Sequence, residues 1–142
     1  MVEPARRLAR HADLGEAAGH LVLAPVPLDP GRLRKRGFNQ AGLLAAGIAA
    51  ATEWSVLPAG LRRRRGRRRQ AELGRSERLA NVGSAFEWEP GVGVPGRPML
   101  LVDDVLTTGA TAAACTAAIE KAGGTCIGVV TFARSLPRFD GA

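Results

Sequence analysis

The chain has no tyrosine, and four Phe and two Trp are its only aromatic residues in 142. Stacked-base platforms of the kind single-strand binders build from successive rings are therefore poorly supplied. Cysteine is equally scarce. Cys115 and Cys126 are not in CxxC spacing, and two such residues cannot build a tetrahedral zinc site. Both read as reduced packing thiols. His11 and His20 have no Cys or acid cluster beside them and read as surface or helix-end residues. Uncharged stretches such as residues 38–52 are punctuated by glycine and fall short of the roughly 20 residues a bilayer span needs. A signal peptide is excluded by Glu3 and by Arg6, Arg7 and Arg10. These absences place the chain in the cytoplasm, without a membrane.

Its apolar residues, 46% of the total, are mainly Ala, Val and Leu. Small side chains of this kind suit helices packed closely on a sheet, and the length suits one domain with one core. The formal charge is +7, and the seven arginines within Arg62–Arg69 account for all of it. Seven like charges so close repel one another, so this run is expected as an exposed, mobile basic loop unless anions neutralise it.

Residues 3–20 carry Ala5, Leu8, Ala9, Ala12, Ala17 and Ala18 at helical spacing, which predicts an amphipathic N-terminal helix bent near Gly15. The run 21–26, Leu-Val-Leu-Ala-Pro-Val, reads as a core strand entering a stiff loop at 27–39. That loop holds Arg32, Arg34, Lys35 and Arg36, then Gly37-Phe-Asn-Gln40, ahead of an Ala/Leu-rich helix with Asn39 as its N-cap. A basic loop between a strand and a helix start suits an anion such as pyrophosphate. Residues 56–61 are a weak strand candidate, and 76–81 have helical character. Gly91-Val-Gly-Val-Pro-Gly96 fits the letters of a dinucleotide fingerprint, but it precedes a strand and contains Pro95, so it is a turn. Gly123-Gly124 stops a helix, 125–132 reads as a final strand, and the tail from Arg134 is expected to fray.

The most informative stretch is Met99-Leu-Leu-Val-Asp-Asp-Val-Leu-Thr-Thr-Gly-Ala-Thr111. Residues 99–102 lack polar alternation, as in a parallel strand covered on both faces, and 110–121 has helical composition. In open α/β sheets ligands sit beyond the carboxyl ends of strands, where Asp103 and Asp104 would emerge into a loop. Thr107, Thr108, Gly109, Ala110 and Thr111 supply hydroxyl and N–H donors at a helix N-terminus, a phosphate cup that small residues leave open. Two adjacent carboxylates suit a sugar's vicinal hydroxyls and can face a hydrated Mg²⁺, so ribose 5-phosphate satisfies both halves.

Residues 102–111 resemble the phosphoribosyl pyrophosphate (PRPP) motif of type I phosphoribosyltransferases. The segments Ala24-Pro-Val-Pro-Leu28 and Arg32-Leu-Arg-Lys-Arg-Gly-Phe-Asn-Gln-Ala41 narrow the resemblance to the ComF family, as do Gln70, Arg78, Asn81, Ala85 and Phe86 after the arginine run. The resemblance covers residues 21–134. It departs at Arg67, where a Thr is usual, and before Leu21, where the family's cysteine-rich zinc segment has no counterpart.

The resemblance implies a single type I phosphoribosyltransferase-like domain over 1–142, an open and mainly parallel sheet flanked by helices. Asp103 and Asp104 would hold the ribose of PRPP and, indirectly, Mg²⁺. Residues 107–111 would hold the 5′-phosphate. Arg32, Arg36, Gly37, Asn39 and Gln40 would hold pyrophosphate, and Arg36, Arg65 and Arg67 would stabilise its departure. Purine-salvage members often carry an Asp where this chain has Thr107, so a built-in base is missing and the acceptor stays unidentified. The competing class is nucleic-acid binding through Arg62–Arg69, or a module that senses PRPP or a nucleotide without turnover. Ties of the family to DNA uptake leave room for a helicase-type partner and for an oligomer.

Overall fold

The computed structural model describes residues 19–64 and 85–135. The uninterrupted apolar runs at 21–26 and 99–102 become neighbouring parallel strands, β1 (Val22–Pro25) and β5 (Met99–Leu106), with Val22 opposite Met99 and Pro25 opposite Val102. β2 (Ser55–Val56) lies outside β1, and β6 (Cys126–Arg134) lies outside β5. All four run parallel in the order β2-β1-β5-β6. Two further strands, β3 (Leu61–Arg63) and β4 (Phe86–Trp88), pair antiparallel as a separate ribbon.

Three helices complete the described fold: α1 (Pro30–Arg36), α2 (Gln40–Ala51) and α3 (Ala110–Lys121). From β1 the chain crosses by α1 and α2 to β2 on one side, and from β5 it crosses by α3 to β6 on the other. Crossovers of one hand that leave in opposite directions must cover opposite faces of the sheet. The core divides accordingly. Val22, Ala24, Val26, Met99 and Leu101 face α3 through Ala114, Cys115, Ala118 and Ile119, together with Phe86 of β4. Leu21, Leu23, Leu100 and Val102 face α2 through Ala45, with Leu44, Ile48 and Ala49 alongside. Residues of both parities are therefore buried, which is why neither strand shows a polar alternation. Each fully buried Leu, Val, Ile or Met side chain contributes roughly 1.5–3 kcal/mol.

Several expectations hold closely. α3 spans 110–121 as its composition indicates, and Gly123, with φ 90°, follows it. α2 begins after Asn39, whose side chain accepts from Ala41 N. Residues 91–96 form no strand or helix, and the adjoining Pro90-Gly91 is a turn.

Others are corrected. The loop expected at 27–39 contains α1, started by Asp29, which accepts from Gly31 N and Arg32 N, and by Pro30 at the first helical position. Gly37 closes it with φ 80°. In place of a strand at 56–61 there are two, β2 and β3, separated by the turn at residues 57–60. β5 does not stop at Val102 but continues to Leu106, because β6 stays paired to it through Arg134. The first arginines of the basic run form β3 rather than a free loop. The tail expected to fray from Arg134 does not start there, because Arg134 is still paired with Leu106 in β6; residues beyond 135, the expected N-terminal helix up to residue 18 and the helix at 76–81 lie outside the described residues.

Candidate functional site

The strand order reverses between β1 and β5. Loops leaving the carboxyl ends of these two strands diverge and open a crevice, the usual ligand position in open α/β sheets. Val26 N donates to Val102 O at 2.9 Å, so the segment 27–40 and the acidic pair start side by side. The two anion-suited segments, distant in sequence, thus border one crevice.

Asp103 and Asp104 lie on the extension of β5 that only β6 accompanies, with Asp103 opposite Thr131. Alternation turns them to opposite faces. Asp103 shares the face of Leu101, towards α3, and burial pushes its carboxyl above the usual carboxylate range, against the lowering effect of its hydrogen bond from Asp104 N at 2.9 Å. Among the described residues the ion pairs gather on Glu87 and Glu89, and none reaches Asp103. A half-buried carboxylate without a cation is poised for hydroxyl donors or a hydrated metal. Asp104 turns to the other face, where its Oδ1 accepts from Val105 N at 2.9 Å.

Beyond β5, Thr107, Thr108, Ala110 and Thr111 are exposed around Gly109. Gly109 has φ 82°, a left-handed conformation that favours glycine, and no atom lies within 4 Å of where a Cβ would stand. As the cap of α3 it brings no side-chain acceptor, and Thr108 Oγ1 accepts only from Ala110 N, at 3.3 Å. The first turn of α3 therefore faces open space with its positive dipole end, as an anion site requires.

On the other wall, Arg32 and Arg36 are four residues apart on α1 and share a face. Arg36 Nη1 donates to Gln40 Oε1 at 2.6 Å, joining two of the residues expected at pyrophosphate. Asn39 is committed structurally: its Nδ2 donates to Val26 O at 3.0 Å while its Oδ1 accepts from Ala41 N at 3.1 Å. It fixes the start of α2 to the end of β1, and so positions the loop. Arg65 and Arg67 lie outside the described residues.

Two features were not anticipated. Glu87 on β4 takes Arg64 Nε at 2.7 Å and Arg62 Nη2 at 2.8 Å, and these guanidinium partners, the Arg64 hydrogen bond foremost, hold its carboxyl below the usual range. The anion that neutralises the start of the arginine run is the protein's own. The alternating Phe86-Glu-Trp-Glu89 carried that signal. Between this ribbon and the turn after β1 runs a groove of about 440 Å³, walled by Pro27, Leu28 and Pro30 and by Leu61, Arg62, Arg63 and Glu87. The second feature is Phe132, 83% exposed on β6.

The two thiols take no part. Cys115 is buried and its thiol is pushed up to about 12, chiefly by burial and then by the Asp103 charge. Cys126 is half-buried and receives a contact from Thr116 Oγ1 at 3.5 Å. Both are free. Among the described residues no three His, Cys, Asp or Glu side chains converge as a metal site, and no helix is long and apolar enough to cross a membrane.

No protein-family model matches the chain. It is 37% identical over 98 residues to the competence protein ComFC of Streptococcus pneumoniae, covering 69% of this chain and 41% of that protein. It is 33% identical over 119 residues to ComFC of Bacillus subtilis, covering 82% and 45%. An adenine phosphoribosyltransferase of Clavibacter sepedonicus is 36% identical over 117 residues, covering 82% and 58%. The chain belongs to the ComF family of the phosphoribosyltransferase superfamily. As a ComF member it spans about half the length of the curated relatives it matches. The α/β architecture, with its mainly parallel sheet and flanking helices, agrees with that membership.

Proposed function

We propose that the chain is a phosphoribosyltransferase-like protein that binds PRPP with Mg²⁺ and transfers phosphoribose to a nitrogenous acceptor, in the service of competence and DNA uptake. The observation that carries the reading is the shared crevice, with Asp103 and Asp104 rooted between an open helix start at 107–111 and the basic segment 32–40. The names of the relatives, competence protein ComFC and DNA utilization protein YhgH of Escherichia coli, the latter 32% identical over 114 residues, supply the biological setting. In the reaction the bond from ribose C1 to pyrophosphate oxygen breaks and a bond from C1 to the acceptor nitrogen forms. The acceptor's N–H proton passes to pyrophosphate or solvent.

The two acids alone make an incomplete metal shell. That suits Mg²⁺ arriving on the pyrophosphate, since this ion keeps several waters and uses one or two carboxylates. Bound there, Mg²⁺ would neutralise the developing charge on the leaving group. Asp103 and Asp104 would grip the ribose hydroxyls, the 107–111 turn the 5′-phosphate, and Arg32 and Arg36 the pyrophosphate. PRPP with Mg²⁺ should raise the melting temperature of the wild type, and Asp103→Asn combined with Asp104→Asn should abolish the rise. A wild type that does not respond sinks the reading.

Thr107, where an acid often stands, favours a second reading in which PRPP is sensed without turnover. Tight PRPP binding with no pyrophosphate release across candidate nitrogen acceptors would select it.

A further inference from the structure

We propose that the outer face of α2 is a docking surface for a second copy of this chain, in an antiparallel two-fold pair of α2 helices. A helix lying on a sheet normally turns a charged stripe to solvent, yet α2 has no charged residue in its length. Its inner face packs on the sheet through Leu44, Ala45, Ile48 and Ala49. On the opposite face Leu43, Ala46 and Ala50 are exposed, Leu43 by 60%. Their spacing, three residues and then four, is the seam spacing of paired helices. Gly47 beside them has no side chain to hold a partner helix away. Past the N-terminal end of this seam, Leu33 of α1 and Phe38 are exposed by 42% and 46%. Isolated apolar side chains on a surface mean little, but a contiguous face of them marks a contact.

Charge identifies the occupant. The N-terminal end of α2 adjoins exposed Arg34 and Lys35 of α1 and carries the positive end of the helix dipole. The C-terminal end carries the negative end of the dipole and exposed Glu53. Arg34 stands on the face of α1 opposite Arg32 and Arg36, so the crevice does not use it. Among the described residues the ion pairs gather on Glu87 and Glu89, which leaves Arg34, Lys35 and Glu53 to pair across an interface. With a two-fold axis near Ala46 and Gly47, Leu43 of one protomer faces Ala50 of its partner. Glu53 of each then reaches the Arg34 and Lys35 end of the other. A parallel pair would instead set like charges together. The face is thus complementary to itself, as an isologous contact requires. It also supports α1, none of whose residues is buried in the single chain. The strip is about 18 Å long and about 10 Å wide, and even with Leu33 and Phe38 it falls short of the roughly 800 Å² per partner of a standard interface. Association is accordingly weak, with a Kd on the order of 10 μM.

The test is sedimentation equilibrium of the full chain from about 1 to about 300 μM, which brackets that Kd. Wild type should pass from monomer to dimer across the range. Leu43→Glu should stay monomeric throughout and, because the side chain is exposed, should melt with wild type at about 1 μM, where both are monomers. Glu53→Arg should weaken the dimer about tenfold or more, and adding Arg34→Glu with Lys35→Glu should restore it. A wild type that is monomeric at every concentration, or a dimer that Leu43→Glu or Glu53→Arg leaves intact, overturns the proposal. So does a Leu43→Glu monomer that melts below wild type at about 1 μM, because the chain would then cover this face itself.

Discussion

Asp103 is half-buried on the α3 side of β5, near the Cys115 thiol, and burial is the largest cause holding its carboxyl above the usual value of 3.8. A carboxyl whose folded-state value is raised stabilises the native state fully below its unfolded value, and loses that contribution as pH rises through the raised one. At neutral pH the ionised side chain is thus a local cost of folding. The same desolvated charge strengthens its attraction for a sugar hydroxyl or a hydrated cation. Asp103→Asn keeps an acceptor for Asp104 N and removes the charge. It should therefore be more resistant to urea than wild type at pH 7, with the gain fading as pH falls through the raised value and absent once pH reaches about 3.8, while losing PRPP binding at every pH. Equal urea midpoints at pH 7 would show that the site carries no such strain. Asp104→Asn should give a smaller gain of the same sign, because the Asp104 side chain and its charge also raise Asp103 but rank below burial.

The β3–β4 ribbon depends on one close approach. Gly60 precedes β3 with φ 127°, and a Cβ there would lie 2.8 Å from Trp88 Cε2. Trp88 is itself held by its Nε1 donating to Val92 O at 2.9 Å, so the ring cannot swing away freely. Gly60→Ala combines a disfavoured backbone with overpacking and should cost about 1–3 kcal/mol in chemical denaturation. A variant as stable as wild type would mean the ribbon shifts without penalty. This element also marks where reading the chain stopped short. β1, α2 and α3 were legible because each rests on local pattern: an apolar run, a cap, a glycine. β4 was missed because Phe86-Glu-Trp acquires its strand partner from residues 61–63, and Glu87 could not be matched to Arg62 and Arg64 before that register existed. α1 was hidden by basic residues that read as a loop, although Asp29-Pro30 and Gly37 are start and stop signals. The excess length of β5 is set by β6, a non-local pairing that the acids at 103 and 104 do not announce.

At the scale of the whole molecule the net charge of +7 is placed in one run, and the ribbon decides how much of it can act on a partner. Binding of single-stranded nucleic acid weakens with salt at a log–log slope of about −0.7 per phosphate neutralised. Engagement of all seven arginines would give a slope of about −5. Arg62 and Arg64, however, are already paired to Glu87, at 2.8 and 2.7 Å, leaving five others in the run, for which the expected slope is about −3.5. Titrating a labelled DNA single strand across a salt series distinguishes the two. Glu87→Gln should steepen the slope towards the larger value by releasing Arg64 and leaving Arg62 only its longer contact to Glu89 at 3.8 Å, and replacing all seven arginines by Gln should abolish salt-dependent binding while leaving ribose 5-phosphate affinity intact. If that last variant loses the sugar phosphate as well, the arginine run serves the crevice rather than DNA. If wild type binds DNA with no salt dependence, the run is not an electrostatic arm.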